Sequence, residues 1–184
     1  EGNALWLDKN KTSSYELYQY LINTDDEMVI HYLKVFTFLS KEEIEKLEEI
    51  HQKNPELREA HKALAREIIT DLHGSAEYEK AKKISETLFT GDVKNLDSSL
   101  IEIAFKGVPT FELREETTLI DALVNNKIAS SKREGREFIS NGAISINGEI
   151  VKEESYLINS NMAIDNKFIV LRRGKKKYYL IKLV

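Results

Sequence analysis

The sequence predicts an α+β chain, with a bundle of about five helices over the first half and a small mixed α/β domain after it. Three observations carry that prediction. Apolar residues recur at three- and four-residue spacing from Thr12 to Gly91, between recognisable caps and stops. Beyond Asn95, short alternating segments and an Asn147-Gly148 pair signal strands and a hairpin. The charge also changes sign along the chain. Residues 1–94 carry 13 basic and 19 acidic side chains, whereas from Lys127 to the end there are 12 basic and 6 acidic. Domains are therefore expected at 1–94 and 95–184, with any polyanion meeting mainly the second.

Each helix has a local reason. Thr12-Ser13-Ser14 caps a first helix carrying Tyr15, Leu17, Tyr18, Leu21 and Ile22. Asp25 or Asp26 is expected to cap the next, which should bury Val29, Tyr32, Leu33 and Phe36. Ser40 with Glu43 has capping-box spacing before Ile44, Leu47 and Ile50. Asn54-Pro55 reads as a cap followed by proline at the first helical position, opening a helix with Leu57, Ala60, Leu64, Ile68 and Leu72 on one stripe. Ser75 begins a fifth helix that ends at Gly91, and residues 91–95 are the expected hinge.

In the second half, Asp97 caps a short helix and residues 108–113 alternate like an edge strand. Thr118 with Asp121 caps another helix. Ser131 with Glu134 has capping-box spacing and starts a helix near Lys132. A strand at 143–146 leads into the Asn147-Gly148 turn, for which a type I′ geometry is expected, and the chain returns through 149–151. Two further strands, 168–171 and 178–183, flank a basic turn at 172–177.

Composition narrows the function. The 41% hydrophobic share supports a buried core, and the 32% charged share is high. With no cysteine, disulfides, zinc fingers and thiol catalysis are excluded. His31, His51, His61 and His73 show no paired ligand spacing, so no metal site is expected. No apolar run approaches the roughly 18 residues of a membrane span, and a cytoplasmic protein is the expectation. Residues 1–8 show no helical or strand period and no initiator methionine, and read as a cut made inside a longer protein.

The candidate chemistry lies in two basic clusters. Lys132, Arg133 and Arg136 share one helix face, and Arg172, Arg173, Lys175, Lys176 and Lys177 crowd the last turn. Were the fold to bring them together, all eight would line one groove. Arginine forks bind phosphate oxygens bidentately and lysines add mobile charge, while Asn141 and Asn147 offer orientation-specific hydrogen bonds. Taken alone, the first helix fits a solvated surface equally well. For the turn, the alternative is a sheet edge protected by charge. Five cations in six residues exceed what edge protection needs. No aromatic residue sits within either cluster, which favours backbone and shape readout over a stacking platform.

The run from Ile128 to Gly148, with its Ser-Lys-Arg-rich helix, Gly142-Ala143, strand and Asn147-Gly148, resembles the RNA-binding domain shared with ribosomal small-subunit protein S-four. Trp6-Leu7-Asp8, Thr12 to Tyr20, Tyr32 to Leu39, Leu72-His73-Gly74, Leu88 to Gly91, Gly107-Val108-Pro109 and Leu171 to Tyr179 all look like bacterial tyrosyl-tRNA synthetase, in family order. The likeness covers essentially the whole chain.

That resemblance implies a helical anticodon-binding domain followed by an S-four-like RNA-binding domain, with tRNA(Tyr) as partner. Glu1-Gly2-Asn3 would lie just after the family's ATP loop. The chain has no His-Ile-Gly-His motif and no ATP loop, so ATP would be bound by a catalytic domain absent from this fragment. No cofactor is expected in the fragment, which should itself be inactive. The resemblance implies tRNA-backbone contacts at Lys132, Arg133, Arg136, Arg172, Arg173, Lys175 and Lys176, including the long variable arm. Asp26 is a candidate for anticodon recognition, although a helix cap explains it too. Full-length members are homodimers through the catalytic domain, so the fragment is expected to be monomeric. The alternative is a stand-alone S-four-type RNA-binding module without a synthetase parent, and a third reading is a protein-interaction domain.

Overall fold

The structure, a computed structural model, describes residues 5–184, so the reading of the first residues as a cut falls largely outside it. The chain divides into two compact units, one ending at Glu86 and one beginning at Thr87. They are described separately.

The first unit is a helical bundle: α1 (Ser14–Ile22), α2 (Val29–Phe36), α3 (Lys41–Lys53), α4 (Glu59–His73) and the first part of α5 (Ser75–Thr90). Helix α4 packs against α1, α2 and α3. Leu33, Leu64 and Ile69 are wholly buried at its centre, with Leu17, Leu21 and Val29 around them. Ser13 and Ser40 cap α1 and α3 through complete capping boxes, each satisfying backbone N–H groups at the helix start.

Three expectations fail here. The chain from Asn54 makes a single 3-10 turn at Pro55–Leu57, and α4 starts only after Arg58, which sits in the left-handed region at φ 53°. Leu57, left outside α4, is exposed, and so is Leu72 in its last turn. Neither Asp25 nor Asp26 caps α2, whose N-cap is Met28 with no side-chain bond. The aromatic end of α2 is exposed too, with Phe36 at 59% and Phe38 beyond it at 90%.

The second unit holds a five-stranded sheet in the order β1-β7-β6-β3-β4, built from β1 (Thr110–Leu113), β3 (Ile144–Ile146), β4 (Glu149–Ile150), β6 (Phe168–Arg173) and β7 (Lys177–Leu183). Strand β1 joins β7 in parallel at one edge and the other pairings are antiparallel. A separate ribbon pairs β2 (Thr117–Thr118) with β5 (Leu157–Ile158), strands too short to show a period in the sequence.

Helices α7 (Leu119–Asn125) and α8 (Lys132–Ser140) cover one face of the main sheet. There Leu119, Leu123, Ile128, Ile139, Ile144, Ile158, Ile169, Leu171 and Ile181 form the core. Helix α6 (Ser98–Ala104), capped by Asp97, leads to Phe105, whose ring packs 5.1 Å from Tyr178 on the opposite face. Residues 91–95 fold into this unit. Val93 is buried, and Gly148 lies so close to Gly91 that a Cβ there would meet the Gly91 carbonyl oxygen at 2.2 Å.

Gly135 sits where α8 rests on α7, and an added Cβ would lie 3.8 Å from Ile120 and Leu123, which is ordinary contact. Gly135→Ala should therefore stabilise the second unit by up to about 1 kcal/mol through helix propensity. Calorimetry should show a rise of roughly 4–8 °C. A fall would mean that α8 needs its close seat on α7.

Candidate nucleic-acid interface

Helix α8 begins at Lys132, as the spacing predicts. The Ser131 hydroxyl accepts from the Glu134 N–H at 3.2 Å. The return arm differs from a capping box, because the Glu134 carboxylate accepts from the Ser130 N–H at 2.5 Å and from its hydroxyl at 2.6 Å. Those bonds to Ser130, with the charge of Arg173 nearby, hold the Glu134 carboxyl below its ordinary range. Lys132 and Arg133 occupy the first turn, where the positive end of the helix dipole disfavours cations. Lys132 has a partner in Asp121, but Arg133 has no ion pair among the described residues, so helix stability gives no reason for it, whereas an anionic ligand does.

The hairpin between β6 and β7 is brought against this helix. Arg173 donates to the Ile128 carbonyl just before α8, and its guanidinium lies 5.2 Å over the Phe138 ring. The Gly174 N–H donates to the Ala143 carbonyl at 2.7 Å, just past the end of α8. Phe138 and Ala143 form one wall of a shallow depression whose other wall is Arg173 to Lys177. Lys175, Lys176 and Lys177 project from it into solvent.

The cations nevertheless do not line one groove. Arg173 meets α8 on the Glu134–Phe138 stripe, while Lys132 and Arg136 lie on another stripe about 200° away around the helix. On that second flank Lys132 pairs with Asp121 at 2.7 Å and Arg136 with Glu154 at 3.3 Å. The Lys132 ammonium, with the Thr118 hydroxyl, pulls the Asp121 carboxyl down. Both pairs are largely exposed and worth under about 1 kcal/mol, so a phosphate can replace the carboxylates at small cost. Arg133 is exposed between the flanks with no ion pair among the described residues. The result is a basic ridge along α8, with the hairpin on one flank and the Lys132–Arg136 pair on the other.

Two of the candidate residues stand apart from the ridge. Arg172 and Arg173 belong to β6 itself and, by strand alternation, point to opposite faces of the sheet. Arg172 lies beside Ser145 and Tyr178, away from α8. Asn147 is only 6% exposed. Its Nδ2 donates to the Met162 carbonyl at 2.7 Å and its Oδ1 accepts from the Val170 N–H at 2.9 Å. It is an internal clamp and has no free polar atom for a ligand. Asn141 is exposed at the C-cap of α8. Lys152 was missed: its Cε would lie 3.4 Å from a Cβ on Gly142, placing it over the end of α8. The Asn-Gly turn held that signal, since its register sets the residues after β4 opposite Ala143.

In the first unit, Asp26 is 56% exposed on the loop between α1 and α2. Its Oδ1 accepts from Arg58 Nη1 at 3.3 Å and lies 3.2 Å from His61 Nε2. His61, fully buried, also donates from Nε2 to the Thr24 carbonyl at 3.0 Å, and His51 Nε2 donates to the Asp26 carbonyl at 3.0 Å. Burial first, then the Arg58 charge, hold the His61 pKa below its ordinary 6.5, despite the Thr24 carbonyl and Asp26 pulling upward; neighbouring His51 pushes it down further. The unfolded chain therefore takes up this proton first as pH falls. Stability of the first unit should be level above pH 6.5 and decline as pH drops below it. Melting followed by circular dichroism between roughly pH 7.5 and pH 5 checks this, above the range where carboxylates protonate. A level or rising melting temperature would contradict it.

Residues 1–90 match the model for tRNA synthetases class I (W and Y). Residues 100–181 match the tyrosine–tRNA ligase SYY-like C-terminal domain. The chain belongs to the tyrosyl-tRNA synthetase family, to its C-terminal part. The tyrosine–tRNA ligase of Bacillus pumilus is 52% identical over 183 residues, covering 98% of this chain and 43% of that protein. Tyrosine–tRNA ligase 1 of Bacillus subtilis is 51% identical with the same coverage. The chain thus spans less than half the length of the curated relatives it matches. A solution structure of a tyrosyl-tRNA synthetase C-terminal domain aligns with 50% of this chain and 95% of its own at 42% identity, with a TM-score of 0.43.

Proposed function

We propose that this chain is the tRNA-binding part of a tyrosine–tRNA ligase, a class I aminoacyl-tRNA synthetase that joins tyrosine to tRNA(Tyr) using ATP. In this reading the second unit holds the RNA backbone, including the long variable arm, and the first unit meets the anticodon. The carrying observation is the basic ridge: first-turn cations on α8 that helix stability does not favour, with the Arg173–Lys177 hairpin clamped against the same helix. An exposed cationic surface with weakly held carboxylate partners suits a polyanion better than a small molecule. Family membership across both halves of the chain supports the synthetase reading over a stand-alone RNA-binding module. Asp26 is the candidate for reading an anticodon base, since it caps no helix and stands exposed. Catalysis and ATP binding would belong to another domain of the full-length enzyme, a cytoplasmic homodimer, with this fragment alone a monomer.

The test is tRNA(Tyr) binding against salt for the chain and for Arg133→Ala and Arg136→Ala. Each lost phosphate contact should weaken binding broadly and lower the log–log salt slope by roughly 0.7–0.9. Wild-type slope and affinity in both variants would remove α8 from the interface. Light scattering of the chain alone should return a monomer mass, and a dimer mass would contradict that part.

A further inference from the structure

Arg58 stands in a conformation that a side chain rarely adopts, at φ 53°, and no glycine replaces it. A non-glycine residue there costs about 1 kcal/mol or more and persists only when its surroundings over-determine it. What over-determines Arg58 is one loop. Its Nε and Nη2 donate to the Ile22 carbonyl at 3.1 and 2.7 Å, Nη2 also reaches the Thr24 carbonyl at 3.3 Å, and Nη1 reaches Asp26 Oδ1 at 3.3 Å. Four of the five N–H donors of the fork go to the segment that ends α1 and carries Asp26.

The consequence falls on the Asp26 carboxylate. Oδ1 is held by Arg58 and lies 3.2 Å from Nε2 of the buried His61. Oδ2 takes no hydrogen bond among the described residues, and Asp26 is part of the lining of an open depression formed by residues 23–28 and Arg58. A carboxylate with one oxygen tethered and the other free is an oriented acceptor for an amino or imino N–H on a base edge. We infer that Arg58 is the positioning residue for base recognition, fixing the loop and the Asp26 carboxylate before RNA arrives. This rests on the reading of Asp26 as a base contact. The positioning role requires no contact from Arg58 to a phosphate or a base, because four of its five donors are engaged within the fold.

Binding of tRNA(Tyr), and of transcripts each with one anticodon base exchanged, should be measured for the chain and for Asp26→Asn, Arg58→Gly, Arg58→Lys and the Asp26→Asn/Arg58→Gly double variant. Glycine accepts φ 53° without strain, so Arg58→Gly keeps the start of α4 while removing the fork. Lysine keeps the charge without the fork.

Asp26→Asn and Arg58→Gly should each lower discrimination between native and exchanged anticodons about tenfold, and the double variant should be no worse than either. Arg58→Lys should resemble Arg58→Gly. The salt slope should stay at its wild-type value throughout, a pattern that general loss of structure would not produce. Wild-type discrimination in both Arg58 variants, or losses that add in the double variant, would overturn the positioning role. Undiminished discrimination in Asp26→Asn would instead overturn the base contact on which it rests.

Discussion

Asn147→Ala should lower the stability of residues 87–184 by about 3–5 kcal/mol. The loss has three sources. Truncation leaves the Val170 N–H buried without its partner, at about 1–3 kcal/mol, and removes the bond to the half-buried Met162 carbonyl, at about 1 kcal/mol. Alanine must also hold φ 48°, a conformation that asparagine tolerates better, at a cost of about 1 kcal/mol. Asn147→Gly separates these contributions, because it relieves the backbone while still deleting the bonds, and should fall between alanine and wild type. Denaturant unfolding of the three proteins is the measurement. At temperatures where Asn147→Gly remains folded, its salt slope for tRNA binding should match wild type. A stable alanine variant with a reduced slope would return Asn147 to the RNA surface.

Neutralising the hairpin, with Lys175, Lys176 and Lys177 all changed to alanine, should have the largest effect on binding. Three exposed cations leave one edge of the ridge. If each meets a phosphate, the log–log salt slope falls by roughly 2–3 and affinity drops by about two orders of magnitude or more at moderate salt. Stability should move by less than about 0.5 kcal/mol, since none of the three makes an ion pair among the described residues. Arg172→Ala is the matched control from the same hairpin. Its side chain leaves the sheet on the face away from α8, so its slope should change less than that of any single variant on the ridge. An unchanged slope in the triple variant would assign the hairpin to edge protection.

Most helices, and the starts of α1, α3, α7 and α8, were legible in the sequence because capping is a three-residue affair. Ser13 with Glu16, Ser40 with Glu43, and Thr118 with Asp121 close their bonds within one turn, so spacing alone predicts them. The Asn147-Gly148 turn was legible for the same reason, since both residues take the positive φ that a type I′ turn demands. What Asn147 does with its side chain was not legible. That depends on Met162 and Val170, which only the folded sheet places beside it.

The start of α4 was misread because Asn54-Pro55 is a sound local signal that distant carbonyls override. Arg58 is drawn out of helical geometry by Ile22, Thr24 and Asp26, more than thirty residues earlier. The same long-range set removes Asp26 from the capping role its position suggests and buries His61 behind it.

By itself, then, the sequence determined the class of fold, most element boundaries, the family and the residues able to carry charge to a polyanion. The tertiary structure alone decided where those charges stand. Strand alternation sends Arg172 and Arg173 to opposite faces, and the helical repeat sets Lys132 and Arg136 on one flank of α8 with the hairpin on the other. Composition fixes how many cations there are, but their direction depends on pairing register and on which helix flank meets the sheet. Those are set by contacts between residues far apart in the chain.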